Sequence, residues 1–293
     1  MTYVSGIAVT IAIKNISIIV IAYNYIPLVI SGICIMTQDI VGLIPAAGNA
    51  RRLGPLPCSK EILPTGFIEQ PGKYPELQVA TGLDHSLMAF ADADILSVHI
   101  VISPEKSDIP KYTNKRDLHA NMNLHFSTVR NSPNILVSLD TPFLEHQEKN
   151  VALLFPDIIF EPRNLLLPLL ETFNQNHPDV VLALFPTDRG DKMDIVTLSA
   201  DGQIETIQPK PGSGISGMTW IAAVWNPRFS ALLHDEARNS ITRNQNEREI
   251  YIGDVVNHAI QKGLSVIGVP FKNSWCIDLG TTADLRNYWR TRL

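Results

Sequence analysis

The sequence predicts an α/β chain, and three observations predict it. Apolar runs of strand length recur, among them 41–44, 97–103, 150–154, 179–186 and 264–271. Between them lie stretches with apolar residues at helical spacing, at 81–93, 164–176, 227–240 and 250–262. The first run also leads straight into a turn of small residues, Ala46, Ala47 and Gly48. A strand ending in such a turn lets backbone N–H groups approach an anion.

The 293 residues suffice for one large or two small domains with a buried core. Net charge is −5, which argues against general nucleic-acid binding. Cys34, Cys58 and Cys276 are dispersed, with no C-x-x-C pair, so neither a disulfide scaffold nor a zinc site is expected; a reducing, cytoplasmic setting fits.

Residues 1–38 form an apolar extension unlike the rest, with Lys14 the only charge before Asp39. The uncharged run 16–36 is long enough to span a bilayer, although Asn24 and Pro27 interrupt it. Three readings stay open: membrane attachment through 16–36, an extra packed element, or an extension ahead of a functional chain starting near Met36. Residues 39–293 carry every motif. After the small-residue turn come Arg51 and Arg52, then Lys60, mobile positive charge suited to phosphates. A helix over 81–93 and a strand over 97–103 follow, then a polar stretch with a short helix over 104–123 and a strand over 124–129. NVALLFPDIIF, 150–160, is an apolar strand ending in Asp157; ligands in open α/β sheets sit beyond strand carboxyl ends. IVTLSADGQIETIQ, 195–208, alternates on both sides of Asp201-Gly202 and predicts a hairpin. WCIDLGTTADL, 275–285, closes the pattern, with Thr281 and Asp284 spaced as a capping box for a last helix.

The order of these parts resembles the sugar nucleotidyltransferases of the glucose-1-phosphate thymidylyltransferase type, whose signature reads A-G-G-x-G-x-R-L-x-P, then K-x-L-L-P, G-D-x-x-F, E-K-P and W-x-D-x-G-T-P-x-D-L. AAGNARRLGP and KEILP fill the first slots here, and the likeness spans about residues 40–288. It implies a Rossmann-like three-layer sandwich with a mixed, mainly parallel sheet, the nucleotide-diphospho-sugar transferase fold. It implies Arg52 and Lys60 as catalytic residues and Ala46, Ala47, Gly48, Asn49, Ala50 and Arg51 as the nucleotide-binding loop. Asp157 and Asp278 become ligands of Mg²⁺, and Lys210 of QPKPG the sugar-phosphate ligand. Residues 39–150 would mainly bind nucleotide and 151–293 the acceptor. The sequence departs from the family at Ala50, Ile135, Pro156 and Pro209, where the family has glycine, glycine, glycine and glutamate. Arg130 takes the place of a base-reading glutamine, and MTWIAAVWNP, 218–227, lacks the glycine of its family strand.

The implied reaction joins an NTP to a sugar 1-phosphate, giving an NDP-sugar and pyrophosphate for nucleotide-sugar and polysaccharide biosynthesis. A phosphomonoester is already an oxyanion near neutral pH, its second pKa being about 6. The chemistry therefore needs charge neutralisation and in-line positioning more than a general base. A non-catalytic nucleotide- or sugar-nucleotide-binding protein on the same fold is the alternative. The implied partners are NTP and sugar 1-phosphate, with no nucleic acid, membrane contact only if 16–36 inserts, and a homo-oligomer compatible with the family. Base and sugar are not readable.

Overall fold

The computed structural model describes residues 8–13, 16–21, 39–69, 76–130, 132–242 and 248–292. The chain divides into two units, Met1–Met36 and Thr37–Leu293. In the first, β1 (Ala8–Ile13) and β2 (Ile16–Ile21) pair antiparallel. The apolar run 16–36 thus begins as a strand, and its remainder lies outside the described residues. No helix among the described residues is long and apolar enough to cross a membrane.

The second unit starts with β3 (Ile40–Pro45), followed by the small-residue loop and two short helical turns at Arg51–Leu53 and Lys60–Ile62. Strands β4 (Pro64–Glu69) and β5 (Leu77–Thr81) form an antiparallel arm absent from the sequence-based prediction. It escapes because Phe67, Leu77 and Val79 point to solvent, so no buried stripe marks it. Helix α1 (Gly82–Asp92) is capped reciprocally by Thr81 and Asp84. Then come β6 (Ser97–Ile102), α2 (Asp108–Thr113), β7 (Asn123–Thr128), α3 (Ile135–Asp140), α4 (Phe143–His146) and β8 (Asn150–Leu154). After β9 (Ile158–Glu161) follow α5 (Leu166–Asn176), β10 (Val180–Thr187), β11 (Ile195–Leu198), β12 (Ile204–Gln208) and β13 (Gly217–Trp225). The chain ends with α6 (Pro227–Ile241), α7 (Ile252–Gln261), β14 (Val266–Pro270), β15 (Trp275–Asp278) and α8 (Thr282–Arg292).

Nine strands build one mixed sheet in the order β12-β11-β13-β8-β3-β6-β7, with β10 paired to β13 and β14. Its central run, β8-β3-β6-β7, is parallel. Alternation along the buried strands sends side chains to two cores. Val41 and Leu43 of β3, Val151 and Leu153 of β8, and Val180, Leu182 and Leu184 of β10 join α3, α6 and α7 on one face. Ile44, Leu154, Val181 and Phe185 join α1 and α5 on the other. This is the expected α/β three-layer sandwich. Burying an aliphatic or aromatic side chain is worth roughly 1.5–3 kcal/mol, so the two-sided pattern fixes the register of the central strands.

A third, smaller core of Leu53, Leu63, Ile159, Leu279, Leu285 and Tyr288 holds the first loop, β9, β15 and α8 together. Strand β15 pairs antiparallel with β9, setting Asp278 opposite Ile158. Leu279 N–H donates to the Asp157 carbonyl at 2.8 Å. Two segments more than a hundred residues apart are thus stitched together beside the carboxyl end of β8.

Candidate active site

The loop after β3 is fixed at its root and open at its tip. Ala46 is fully buried and its N–H donates to the Val101 carbonyl at 2.7 Å, while Gly48 and Asn49 are exposed. Ala50 is left-handed, φ 49° and ψ 28°. A side chain there costs about 1–2 kcal/mol, so the conformation that glycine would adopt freely is kept with alanine in place. Ala50 packs against the third core, an apolar contact that offsets part of this strain.

Beyond the loop lies a cavity of about 970 Å³. The loop gives it Pro45, Ala47, Gly48, Asn49 and Arg51. The next turn gives Lys60 and Glu61, and the far wall is Arg130, Ser132, Pro133, Asn134 and Ile135 at the start of α3. Asn134 caps that helix, accepting from the N–H of Leu136 at 3.0 Å and of Val137 at 3.3 Å. Arg130, in the place of the family's base-reading glutamine, and Ile135 line the same cavity as the loop.

Phe155 and Asp157, just past β8, belong to the walls of this cavity and of a second one of about 190 Å³. Asp278 and Asp157 both line the second cavity, brought together by the β9–β15 register. Lys60 Nζ donates to Asp157 Oδ2 in a short ion pair. That partner, against the opposing effect of burial, holds the Asp157 carboxyl below the usual carboxylate range. Burial first, and then the adjacent Asp157 charge, push Asp278 above that range. Gly280 N–H donates to Asp278 Oδ1 at 2.6 Å. A Cβ at Gly280 would stand 2.6 Å from Arg52 Nη2 and 2.7 Å from Asp278 Oδ1, so a side chain there would push the guanidinium or the carboxylate from its present place. Similarly, a Cβ at Gly82 would lie 2.2 Å from the Pro156 carbonyl, which lets α1 start against the chain that carries Asp157.

The sequence-predicted residues thus divide. Lys60, Asp157, Asp278 and Arg52 come together, and Ala47, Gly48, Asn49 and Arg51 line the large cavity. Ala46 and Ala50 serve the loop from its packed side. Lys210 stands apart. It is left-handed at φ 44°, its ammonium lies 4.0 Å from the centre of the Tyr251 ring, and it lines neither cavity among the described residues.

Several residues on the cavity walls carry no sequence signal. Lys192 lines the smaller cavity and is tethered by Asp284 Oδ2 in a short ion pair and by Thr281 Oγ1 at 3.3 Å. Asp284 also accepts from Thr281 Oγ1 and from Arg189 Nη1 at 3.2 Å, so the cap of α8 doubles as an anchor for the loop before β11. Glu61, fully buried, accepts from Lys106 Nζ at 2.6 Å. Burial raises the Glu61 carboxyl above its ordinary range and lowers the Lys106 ammonium below its own. Isolated charges in polar turns have no periodicity, and only the folded chain identifies them.

Comparison with solved structures supports the fold directly. A Bacillus anthracis protein assigned as a glucose-1-phosphate thymidylyltransferase, in complex with sucrose, superposes with a TM-score of 0.70 at 16% identity, covering 85% of this chain and 93% of that one. A UDP-glucose pyrophosphorylase bound to UDP-glucose gives 0.68 at 17% identity, covering 87% of this chain and all of that one. The apo form of a UDP-glucose pyrophosphorylase gives 0.66, also at 17% identity. No family model and no curated protein sequence matches the chain. The chain has the fold of these nucleotidyltransferases.

Proposed function

We propose that the protein transfers a nucleotidyl group from an NTP to a sugar 1-phosphate, releasing pyrophosphate and giving an NDP-sugar. One observation carries the reading. Asp157 and Asp278, distant in sequence, face one cavity beside Lys60 and Arg52, and Asp157 also walls the larger cavity that the small-residue loop opens on. The reaction needs two polyanions held side by side with their charge neutralised, and this is where cationic side chains and carboxylates converge.

The larger cavity takes the nucleotide, its phosphates against Gly48, Asn49 and Arg51 and its base toward Arg130 and the start of α3. Lys60 holds phosphate oxygens at the junction of the two cavities. Arg52 stabilises the charge that develops on the α-phosphate and the departing pyrophosphate. The smaller cavity takes the acceptor. Lys192 on its wall meets the acceptor phosphate, while Lys210 supports Asp194 through its charge and its backbone N–H.

The two aspartates fit Mg²⁺. They are hard oxygen donors and the proximity of one raises the pKa of the other; no group of three or more candidate ligands is gathered among the described residues, so waters and substrate phosphates would have to complete the shell. Mg²⁺ commonly takes one or two carboxylates and completes its shell with waters and substrate phosphates. When bound, the ion would supply positive charge to the reacting phosphates. A non-catalytic binding protein on this fold is the second reading, favoured by the strained alanine at position 50.

Pyrophosphate release across the common NTPs and sugar 1-phosphates, amino sugars included, separates the two. At least one pairing should turn over with Mg²⁺ and stop with EDTA. Binding of nucleotide without release from any pairing would leave the non-catalytic reading.

A further inference from the structure

The larger cavity is lined by two side chains of opposite charge that are not spent on each other. Arg130, just after β7, has no hydrogen-bond or ion-pair partner among the described residues. Glu249, in the segment before α7, makes no ion pair among them, and its carboxylate accepts from the Tyr251 hydroxyl. The other polar side chains at the start of α3 are satisfied within the wall itself. Asn134 accepts from the N–H of Leu136 and Val137 and donates to Ser240 Oγ at 3.0 Å. Ser132 Oγ donates to the Asn134 carbonyl at 2.6 Å and lies 2.8 Å from Ser138 Oγ. The Asn134–Ser240 bond brings the end of α6 to the start of α3. Ile241, at that end, lines the cavity and is 62% exposed.

These groups decide which base the cavity suits. At about 970 Å³ it is among the larger ligand pockets, with room for a purine nucleotide. Ile241, Ile135 and Val129 offer apolar surface for the faces of a planar ring. The ring edges are left with a guanidinium that only donates and a carboxylate that only accepts. Both are forked, so each is matched best by two adjacent atoms. Guanine carries both pairs on neighbouring edges, the acceptors O6 and N7 and the donors N1–H and N2–H. Uracil and thymine set one N–H between two carbonyls, whose oxygens repel a carboxylate brought to it. Adenine sets its amino group between two ring acceptors and has no adjacent acceptor pair. Cytosine matches the guanidinium through N3 and O2 but offers the carboxylate its N4 amino group alone.

We propose that the nucleotide is GTP, its guanine read by Arg130 at O6 and N7 and by Glu249 at N1–H and N2–H. The proposal rests on the nucleotidyl-transfer reading and names the base that the larger cavity takes. It sets the chain apart from the structures that share its fold, which are named for thymidylyl transfer and for UDP-glucose.

Binding tests it independently of turnover. The full chain, with Mg²⁺ present, is titrated calorimetrically with GTP, ATP, CTP, UTP and dTTP. GTP should bind at least ~10-fold tighter than any other, in the range that a bidentate base contact provides. Two analogues probe single atoms without any variant. 7-Deaza-GTP lacks the N7 acceptor and ITP lacks the N2 amino group, and each should bind roughly 5-fold or more weaker than GTP. Variants then assign the contacts. Arg130→Ala should erase the 7-deaza-GTP penalty and keep that of ITP, and Glu249→Ala should do the reverse. General loosening of the wall would not give this crossed pattern. A second NTP bound as tightly as GTP, no nucleotide bound at all, analogues that match GTP, or penalties indifferent to the two variants would each overturn the proposal. Pyrophosphate release is scored separately. GTP binding without transfer keeps the guanine site and removes the transfer reading, whereas transfer from UTP or dTTP in preference to GTP does the opposite.

Discussion

At the scale of single residues, the site separates groups that position charge from groups that act on it. Lys60 is paired with Asp157, whereas Arg52 reaches over Gly280 toward Asp278. If Arg52 acts on charge that develops during transfer, Arg52→Ala lowers kcat by roughly 100-fold or more and changes nucleotide binding little. Lys60→Ala weakens nucleotide binding as well, because it removes the partner of Asp157 together with a phosphate ligand. Steady-state kinetics with direct nucleotide titration resolve the two, and near-normal kinetics in both variants would reduce them to surface cations. The family likeness singled out Lys60, Asp157 and Asp278, and the structure brings the three together. Lys192, Asp194 and Trp220 were not singled out. They reach the cavity from the loop before β11 and from β13, and no local pattern records that convergence.

At the scale of elements, pairings between turns set the site. Glu61 follows Lys60 directly and is bound to Lys106, in the turn after β6, with both side chains nearly inaccessible. Removing one member leaves a buried charge unpaired, which costs about 3–5 kcal/mol, while replacing both with apolar groups costs far less. Lys106→Met should therefore lower unfolding stability in urea by about 3–5 kcal/mol, and Glu61→Met with Lys106→Met should recover most of it. A single variant within about 1 kcal/mol of wild type would show that the pair is not a structural lock. Apolar runs and helical spacing made most strands and helices legible. The β9–β15 pairing was not, because antiparallel register between segments more than a hundred residues apart leaves no periodic trace. The β4–β5 arm also went unread, since its large apolar residues face outward.

At the scale of the molecule, two histidines link stability to pH. Burial lowers His85 and His146 to about 4. Both ring nitrogens of His146 are buried without partners among the described residues. An ordinary histidine in the unfolded chain titrates near 6.5. Between about pH 6.5 and 4 the unfolded chain therefore binds protons that the folded chain refuses. The stability these residues contribute is complete above pH 6.5 and is lost as pH falls toward 4, by up to roughly 3 kcal/mol for each histidine. Urea denaturation as a function of pH should show this fall, and His146→Leu should flatten it by close to one proton. An unchanged slope would place the titration elsewhere. The central claim is that Asp157 and Asp278 act as one unit, and the most direct measurement is Mg²⁺-dependent pyrophosphate release by Asp157→Asn, Asp278→Asn and the double variant, each shown to fold. Each single change should remove most of the activity, by roughly 100-fold or more, with the double little worse than the worse single. Full activity in either single variant, or losses that simply multiply in the double, would contradict the account.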